Sequence, residues 1–254
     1  MEYDVIVIGA GMAGLTSAIY LARANKKVLV LEGKVQGGQI INTLSIENWP
    51  GNYKASGKDL MDGIYNQALD LGAEIVFEEV EEVTKKDDGF RVVSDEKAYG
   101  AEVVIIAVGA EPRKLSDLQT GYAGDKPISY CATCDGALYK GKPVVVVGSG
   151  NTAKDEIKYL EGICSKVYQI HHDEKIPEDA EAVFVAIGRV PSTGFLKDLV
   201  ELDEHGYVVA GEDCKTSCPG VFVAGDCRTK EIRQLVTAAG DGAVAAEAVI
   251  KYLG

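Results

Sequence analysis

The stretch that most narrows how this chain can fold is YDVIVIGAGMAGLTSAIYLARANKKVLVLE, residues 3 to 32. A β-branched run ends in a glycine turn. A segment with apolar side chains at helical spacing follows, and a second apolar run closes on an acid. Strand, turn, helix and strand in this order, within about 30 residues, predict a βαβ unit.

The pattern occurs a second time in PVVVVGSGNTAKDEIKYLEGICSKVYQIHH, residues 143 to 172. This internal duplication predicts an α/β protein with two Rossmann-like, doubly wound, three-layer domains. Between the copies, EIVFEEVEEVTKKDDGFRVVSDEKAYGAEVVIIAVGA alternates apolar and polar residues around DDG, which predicts a small β-meander and then a buried strand. VFVAIG and GVFVAGD read as two more buried strands stopped by glycine, and QLVTAAGDGAVAAEAVIKYL as a C-terminal helix. Turn-rich breaks at residues 111 to 115 and 188 to 193 predict one domain from residues 1–115 plus 189–254, with residues 116–188 inserted as the second.

A chain of 254 residues, 46% hydrophobic, can give two modest domains a core each. No apolar run approaches the roughly 18 to 20 residues that span a bilayer, and the start MEYDVIVIG enters a strand at once instead of showing a signal peptide, so the expected address is cytoplasmic. A net charge of −13 argues against nucleic acid or an anionic membrane as partner, because both select clustered positive charge.

Gly9, Gly11 and Gly14 follow a strand and open a helix, and Glu32 ends the next strand 18 residues past Gly14. In that context the glycines allow a tight turn and close approach of backbone to pyrophosphate, and the helix N-terminus supplies N–H donors. The carboxylate accepts the ribose hydroxyls of an adenosine, which favours FAD or NAD over NADP.

CATCDG, residues 131 to 136, has two readings. As half of a zinc site it needs further soft ligands, for which Cys214 with Cys218, or His171 with His172, are the candidates. As a redox dithiol it needs only its own two sulfurs and a field that stabilises one thiolate, and Asp135 is placed to exchange the proton.

GAGMAG with Glu32, GGQIINTLSIENWPG (37 to 51), IIAVGAEPRKL (105 to 115), SYCATCDG (129 to 136), VFVAIGRVPST (183 to 193) and GVFVAGDCRTKEIRQLVTAAGDGAVAA (220 to 246) together resemble the low-molecular-weight thioredoxin reductases, over nearly the whole chain and in the right order. The resemblance implies FAD against Gly9, Gly11, Met12, Ala13, Gly14, Glu32 and Gly33. Gly38, Gln39 and Asn48 would lie near the ribityl chain and ring, and Val80 at the adenine. Gly109 would stand at the domain crossover, Gly225 and Asp226 at the ribityl chain, and Arg233 and Gln234 at the pyrimidine edge. It further implies that Cys134 faces the flavin, that Cys131 attacks the disulfide of thioredoxin, that Asp135 is the acid, and that the protein is a homodimer whose domains rotate.

One part of the pattern departs. NADPH-using members carry an HRR-type signature after the second glycine motif, whose arginines grip the 2′-phosphate. Here the strand ends in His171, His172, Asp173 and Glu174, of the wrong sign for a phosphate. Only 11 residues, His172 to Ala182, with Pro177 among them, lead to the next buried strand. Gly148, Gly150 and Ala153 in GSGNTA fit either a nucleotide cradle or tight strand-to-helix packing, and the missing arginines favour packing. A flavoprotein of this type without a pyridine nucleotide site needs another reductant, and the shortened chain resembles the ferredoxin-dependent flavin thioredoxin reductases. An acidic ferredoxin would dock on a local basic patch drawn from Lys54, Lys58, Arg113, Lys114, Lys140, Lys142, Arg228 or Lys230. The competing readings are an NADPH-dependent reductase with a minimal nucleotide domain and a flavin redox sensor that does not turn over. Cys164, Cys214, Cys218 and Cys227 receive no role.

Overall fold

The computed structural model describes residues 2–33, 37–114, 125–171, 174–196 and 198–254. The chain divides into two compact units, Met1–Ala110 with Pro191–Gly254 and Glu111–Val190. Of the two expected boundaries, the one at residue 115 lies outside the described residues.

In the larger unit β1 (Tyr3–Ile8) and β2 (Val28–Glu32) run parallel with Ile8 beside Leu31, joined by α1 (Met12–Arg23). Nearly every residue of both strands is buried, as expected of a parallel sheet covered on both faces. Alternate side chains go to opposite faces. Val5, Val7, Val28 and Val30 pack with α1, and Ile6, Ile8, Leu29 and Leu31 form a second core on the far side.

α2 (Gly57–Asp70), capped by Ser56, leads to β3 (Glu74–Phe77) outside β2. The expected meander is present as β4 (Val80–Lys86), β5 (Gly89–Ser94) and the first half of β6 (Ala98–Ile106). β6 serves two partners on one side. Ala98–Ala101 pair antiparallel with β5, and Val104–Ile106 pair parallel with a late strand, Val221–Val223.

The two connections between the units, β7 (Ala110–Pro112) and a strand at Arg189–Pro191, pair as a two-stranded ribbon. In the smaller unit β8 (Ile128–Ser129) precedes α3 (Ala132–Asp135), then β9 (Pro143–Val147), α4 (Asn151–Glu161), β10 (Lys166–Ile170) and β11 (Val183–Val185). These four strands are all parallel, in the order β10-β9-β11-β8. β9 and β10 repeat the pairing of β1 and β2, but among the described residues β10 is a sheet edge with nothing in the place of β3.

The connecting strand at Arg189–Pro191 is β12, and the late strand beside β6 is β13. The chain ends in α5 (Leu235–Leu253), which packs closely on α1. A Cβ on Gly242 would lie 2.4 Å from the Ala13 carbonyl oxygen, and the Ser17 hydroxyl donates to the Gly242 carbonyl at 3.0 Å.

Candidate functional site

The first glycine turn is built by close backbone approach. Gly9 N–H donates to the Leu31 carbonyl at 2.7 Å, which holds the turn over the end of β2. Gly14 lies so close beneath it that a Cβ there would sit 1.8 Å from the Gly9 carbonyl oxygen. Gly11 differs: a Cβ would meet nothing within 4 Å, so no packing in the protein demands glycine there. It caps α1, whose first turn, Met12 to Leu15, carries no acid and no side-chain cap. Open space at a helix N-terminus whose first N–H groups have no partner among the described residues fits a pyrophosphate.

Glu32 stands beside this space, buried. Its Oε2 accepts from Ala10 N–H at 2.8 Å and its Oε1 from Gly33 N–H at 3.0 Å. Burial pushes this carboxyl up, and the N–H groups of Ala10, Gly33 and Gly37 work against that push. Each oxygen keeps accepting capacity for a ribose hydroxyl.

Several distant segments reach the same loop. A Cβ on Gly38 would be 3.7 Å from Gly11 Cα, and one on Gly225 would be 2.9 Å from Ala13 Cβ. Gln39 Nε2 donates to the Ala110 carbonyl at 2.6 Å, next to Gly109, which adopts a left-handed φ of 68°. Asn48 Nδ2 donates to Gln234 Oε1 at 3.1 Å, and Gln234 caps α5. Asp226 is half-buried directly after Gly225.

Two further expected residues make contacts within the protein. Val80 is half-buried against the core beneath β4. The Arg233 guanidinium is directed at its own loop, with donors 3.3, 3.1 and 3.2 Å from the carbonyls of Asp226, Lys230 and Arg228, and it lies 4.2 Å over the Tyr207 ring.

A charged cluster that the sequence reading missed supports this loop. Asp241, on α5, accepts from Arg228 through both oxygens (2.9 and 2.8 Å), from Lys230 at 2.7 Å and from Gly225 N–H at 3.0 Å. Burial opposes the Asp241 charge, but the hydrogen bonds from Arg228 and Lys230 prevail and hold the carboxyl below its ordinary value. The sequence does carry a signal for it. The buried positions Ala238, Asp241, Gly242, Ala245, Ala246 and Val249 fall on one helical stripe, with an acid in the middle. Arg228 and Lys230, named above for a basic docking patch, are therefore interior groups, with side chains 3% and 6% exposed. Of the others, Lys58 pairs with Asp62 and Lys142 with Glu181.

In the smaller unit Cys131 and Cys134 are joined as a disulfide, with Cys131 capping the single turn of α3. Cys131 N–H donates to Ser129 Oγ at 3.1 Å, and the Ser129 hydroxyl donates to Asp135 Oδ2 at 2.7 Å. Ser129 thus ties both ends of the turn together. The remaining cysteines are free: Cys214, Cys218 and Cys227 are buried and Cys164 is half-buried. Burial pushes the Cys214 and Cys227 thiols up to about 12, so neither is a thiolate at neutral pH.

The second glycine turn copies the first up to the residue that ends the second strand. Gly148 N–H donates to the Ile170 carbonyl at 3.0 Å, as Gly9 does to Leu31. A Cβ on Gly148 would lie 2.3 Å from the Ala186 carbonyl oxygen, so packing accounts for it, whereas Gly150 faces open space. Ile170 pairs with Val147 as Leu31 pairs with Ile8, so His171 occupies the position of Glu32. Its N–H is taken by Glu174 Oε2 at 2.6 Å, which brings a carboxylate to the strand end. A cavity of about 290 Å³ remains, lined by Gly148, Ser149, Gly150, Thr152, His171 and Gly188 among others. His172 and Asp173 lie outside the described residues.

The chain matches the family described as pyridine nucleotide-disulphide oxidoreductase over residues 3–179 and 171–242. It is 35% identical to a thioredoxin reductase of Listeria innocua over 299 aligned positions, covering 99% of this chain and 94% of that one. Since this chain has 254 residues, at least 45 of those positions have no counterpart in it. The crystal structure of thioredoxin reductase from Streptococcus pyogenes matches at a TM-score of 0.90 and 32% identity, covering 99% of this chain and 98% of that one. A ferredoxin-flavin thioredoxin reductase from Clostridium acetobutylicum matches at 0.63 and 30%, covering 99% and 97%.

Proposed function

Because the chain belongs to the thioredoxin reductases of the pyridine nucleotide-disulphide oxidoreductase family, which are FAD-dependent flavoproteins, we propose that it reduces thioredoxin through Cys131 and Cys134 with reduced ferredoxin as electron donor. FAD, when bound, takes electrons singly or in pairs, which suits a one-electron carrier upstream and a disulfide downstream. The observation that carries the choice of donor is the end of β10. There His171 replaces the ribose-binding acid, and Glu174 presents negative charge where a 2′-phosphate would need a cation.

In this reading Gly9, Gly11, Met12, Ala13 and Gly14 cradle the pyrophosphate of FAD, and Glu32 with Gly33 holds the adenosine ribose near Val80. Gly38, Gln39, Asn48, Gly109, Gly225, Asp226, Arg233 and Gln234 enclose the rest of the cofactor. Cys131 attacks the partner disulfide as a thiolate, Cys134 receives the electron pair, and Asp135, steadied by Ser129, manages the proton. A cytoplasmic homodimer completes the proposal.

Two glycine variants separate packing from cofactor binding. Gly14→Ala forces a methyl into the Gly9 carbonyl and is expected to cost about 1–3 kcal/mol or more, read as a lower thermal midpoint. Gly11→Ala has room, so its stability should change by no more than about 1 kcal/mol while flavin content falls sharply. Unchanged flavin content in purified Gly11→Ala would show that the pyrophosphate lies elsewhere.

The donor is tested by adding reduced ferredoxin, NADPH and NADH in parallel to the anaerobic holoprotein and following flavin absorbance and thioredoxin thiols. Ferredoxin should bleach the flavin and yield thioredoxin thiols, and both pyridine nucleotides should leave the spectrum unchanged. The cavity at Gly148 and Gly150 favours a second reading, a pyridine-nucleotide-dependent reductase with a pared-down domain. Rapid bleaching by NADPH or NADH selects that reading over ours.

A further inference from the structure

Glu156 is a half-buried acid that the proposed chemistry does not use. Its neighbours on α4, Ala153, Ile157 and Leu160, pack into the core of the smaller unit with Ala132, Val144, Val146 and Phe184. Glu156 meets α3, where the Ala132 N–H donates to its carboxylate. The Oε2 atom is buried and has no hydrogen-bond partner among the described residues. Ala132 is completely buried and directly follows Cys131. A carboxylate with one oxygen buried and unserved is costly to keep charged. Burial accordingly raises this carboxyl, against the opposing pull of the Ala132 N–H and the positive charge of Arg189.

The other ionisable groups around it are few, and one is Cys164, half-buried against the same core with its thiol raised by burial. Arg189, on β12, also donates to the Tyr130 carbonyl at 3.5 Å. Asp135 closes α3 and is held by Ser129. Tyr139 follows in a 3-10 turn, its phenol raised by burial and by Asp135 and Glu181. On α4 itself Lys154, Asp155 and Lys158 are exposed, and the strands beneath contribute no ionisable side chain to this core.

We propose that Glu156 is a positioning residue for the Cys131–Cys134 pair: it holds the α3 turn through the Ala132 amide, and its ionisation is coupled to that of the thiols formed when the disulfide is reduced. This rests on reading the pair as a working dithiol. Two-electron reduction, which FAD when bound and reduced would supply, breaks the Sγ–Sγ bond and leaves two thiolates, which take up two protons from solvent. An ionised Glu156 opposes a thiolate in the adjoining turn, and a protonated Glu156 removes that opposition. The acid and the thiols therefore titrate as one coupled system, in macroscopic steps that belong to the set. Reoxidation by a partner disulfide returns both protons to solvent as the sulfurs rejoin and the partner is reduced.

The test compares wild type with Glu156→Gln, which keeps the volume and an acceptor for Ala132 N–H but carries no charge. Holoprotein reduced with dithiothreitol and freed of reductant is pulsed with iodoacetamide across a pH series. Alkylation at Cys131 and Cys134 is then read by mass mapping, with flavin content as the check on folding. The wild type should show an extra step in its profile that Glu156→Gln lacks, and the variant should alkylate about tenfold faster at neutral pH, the effect of a one-unit fall in thiol pKa. Glu156→Asp, which restores the charge, should move the profile back toward wild type. If the Glu156→Gln profile superimposes on that of wild type while both cysteines still cycle, the coupling is wrong. If neither cysteine can be reduced and alkylated in the wild type, the dithiol reading itself falls and takes the coupling with it.

Discussion

Serine in place of Cys134 is expected to lower turnover with thioredoxin by about a thousandfold or more while the protein stays yellow and folded. A single remaining sulfur cannot form the intramolecular disulfide that holds an electron pair, and a serine hydroxyl neither oxidises to one nor leaves as a thiolate. Because the two sulfurs work as one unit, Cys131→Ser should cost about as much, and the double variant should be no worse than either alone. The disulfide and the Ser129–Asp135 brace belong to the smaller unit, while the glycine turn of α1 belongs to the larger, so flavin content should not follow the loss. The measurement is thioredoxin thiol release from photoreduced holoprotein. Undiminished release by Cys134→Ser would remove the dithiol from the pathway, and no release by the wild type would leave the reading of a flavin redox sensor.

Alanine at Asp241 should be the most damaging single change in the larger unit outside its apolar core. The carboxylate balances Arg228 and Lys230, both almost wholly enclosed, and accepts the Gly225 N–H as well. Removing one partner of a buried ion cluster strands the others, at about 3–5 kcal/mol. In a domain of this size that is a fall in thermal midpoint of roughly 6–20 °C. Flavin should be lost with it, since Gly225 and the carbonyls gripped by Arg233 adjoin the same loop. As a control, Lys175→Ala breaks an exposed pair with Glu178 and should leave the midpoint unchanged.

The sign of the pH dependence follows. Asp241 is held below its ordinary 3.8, so the stability it contributes is complete above that value and drains away as pH falls through the lower folded value. Wild type should therefore lose stability in that acid window more steeply than Asp241→Ala. Parallel acid unfolding curves for the two would show that the carboxylate is not the anchor described here.

Much of this architecture can be read directly from residues whose spacing is itself the structural cause. YDVIVI and VLVLE are continuous apolar runs because both faces of their sheet are covered, and the alternation around DDG folds as the meander expected. The glycine turn announces itself because only glycine fits 1.8 Å from a carbonyl oxygen, as at Gly14. What stayed hidden depends on which charged residue meets which across the fold. Arg228 and Lys230 look like surface cations until α5 brings Asp241 between them. Glu156 looks like one more polar residue in NTAKDEIKYLE, and only the packing of α3 on α4 brings its carboxylate to the Ala132 amide. Arg233 sits in a motif that suggests a ligand contact, yet where its guanidinium points is decided by the course of residues 226 to 230.

The pairing of β7 with β12 has a consequence for how such a chain can be remodelled. The segment between them leaves and re-enters on neighbouring strands, so its two ends lie side by side. A cassette with adjacent ends can be shortened, exchanged or deleted without rethreading the host, because a short turn suffices to bridge the gap. A designer wishing to graft a different electron-accepting module has the splice points already marked at Ala110 and Pro191.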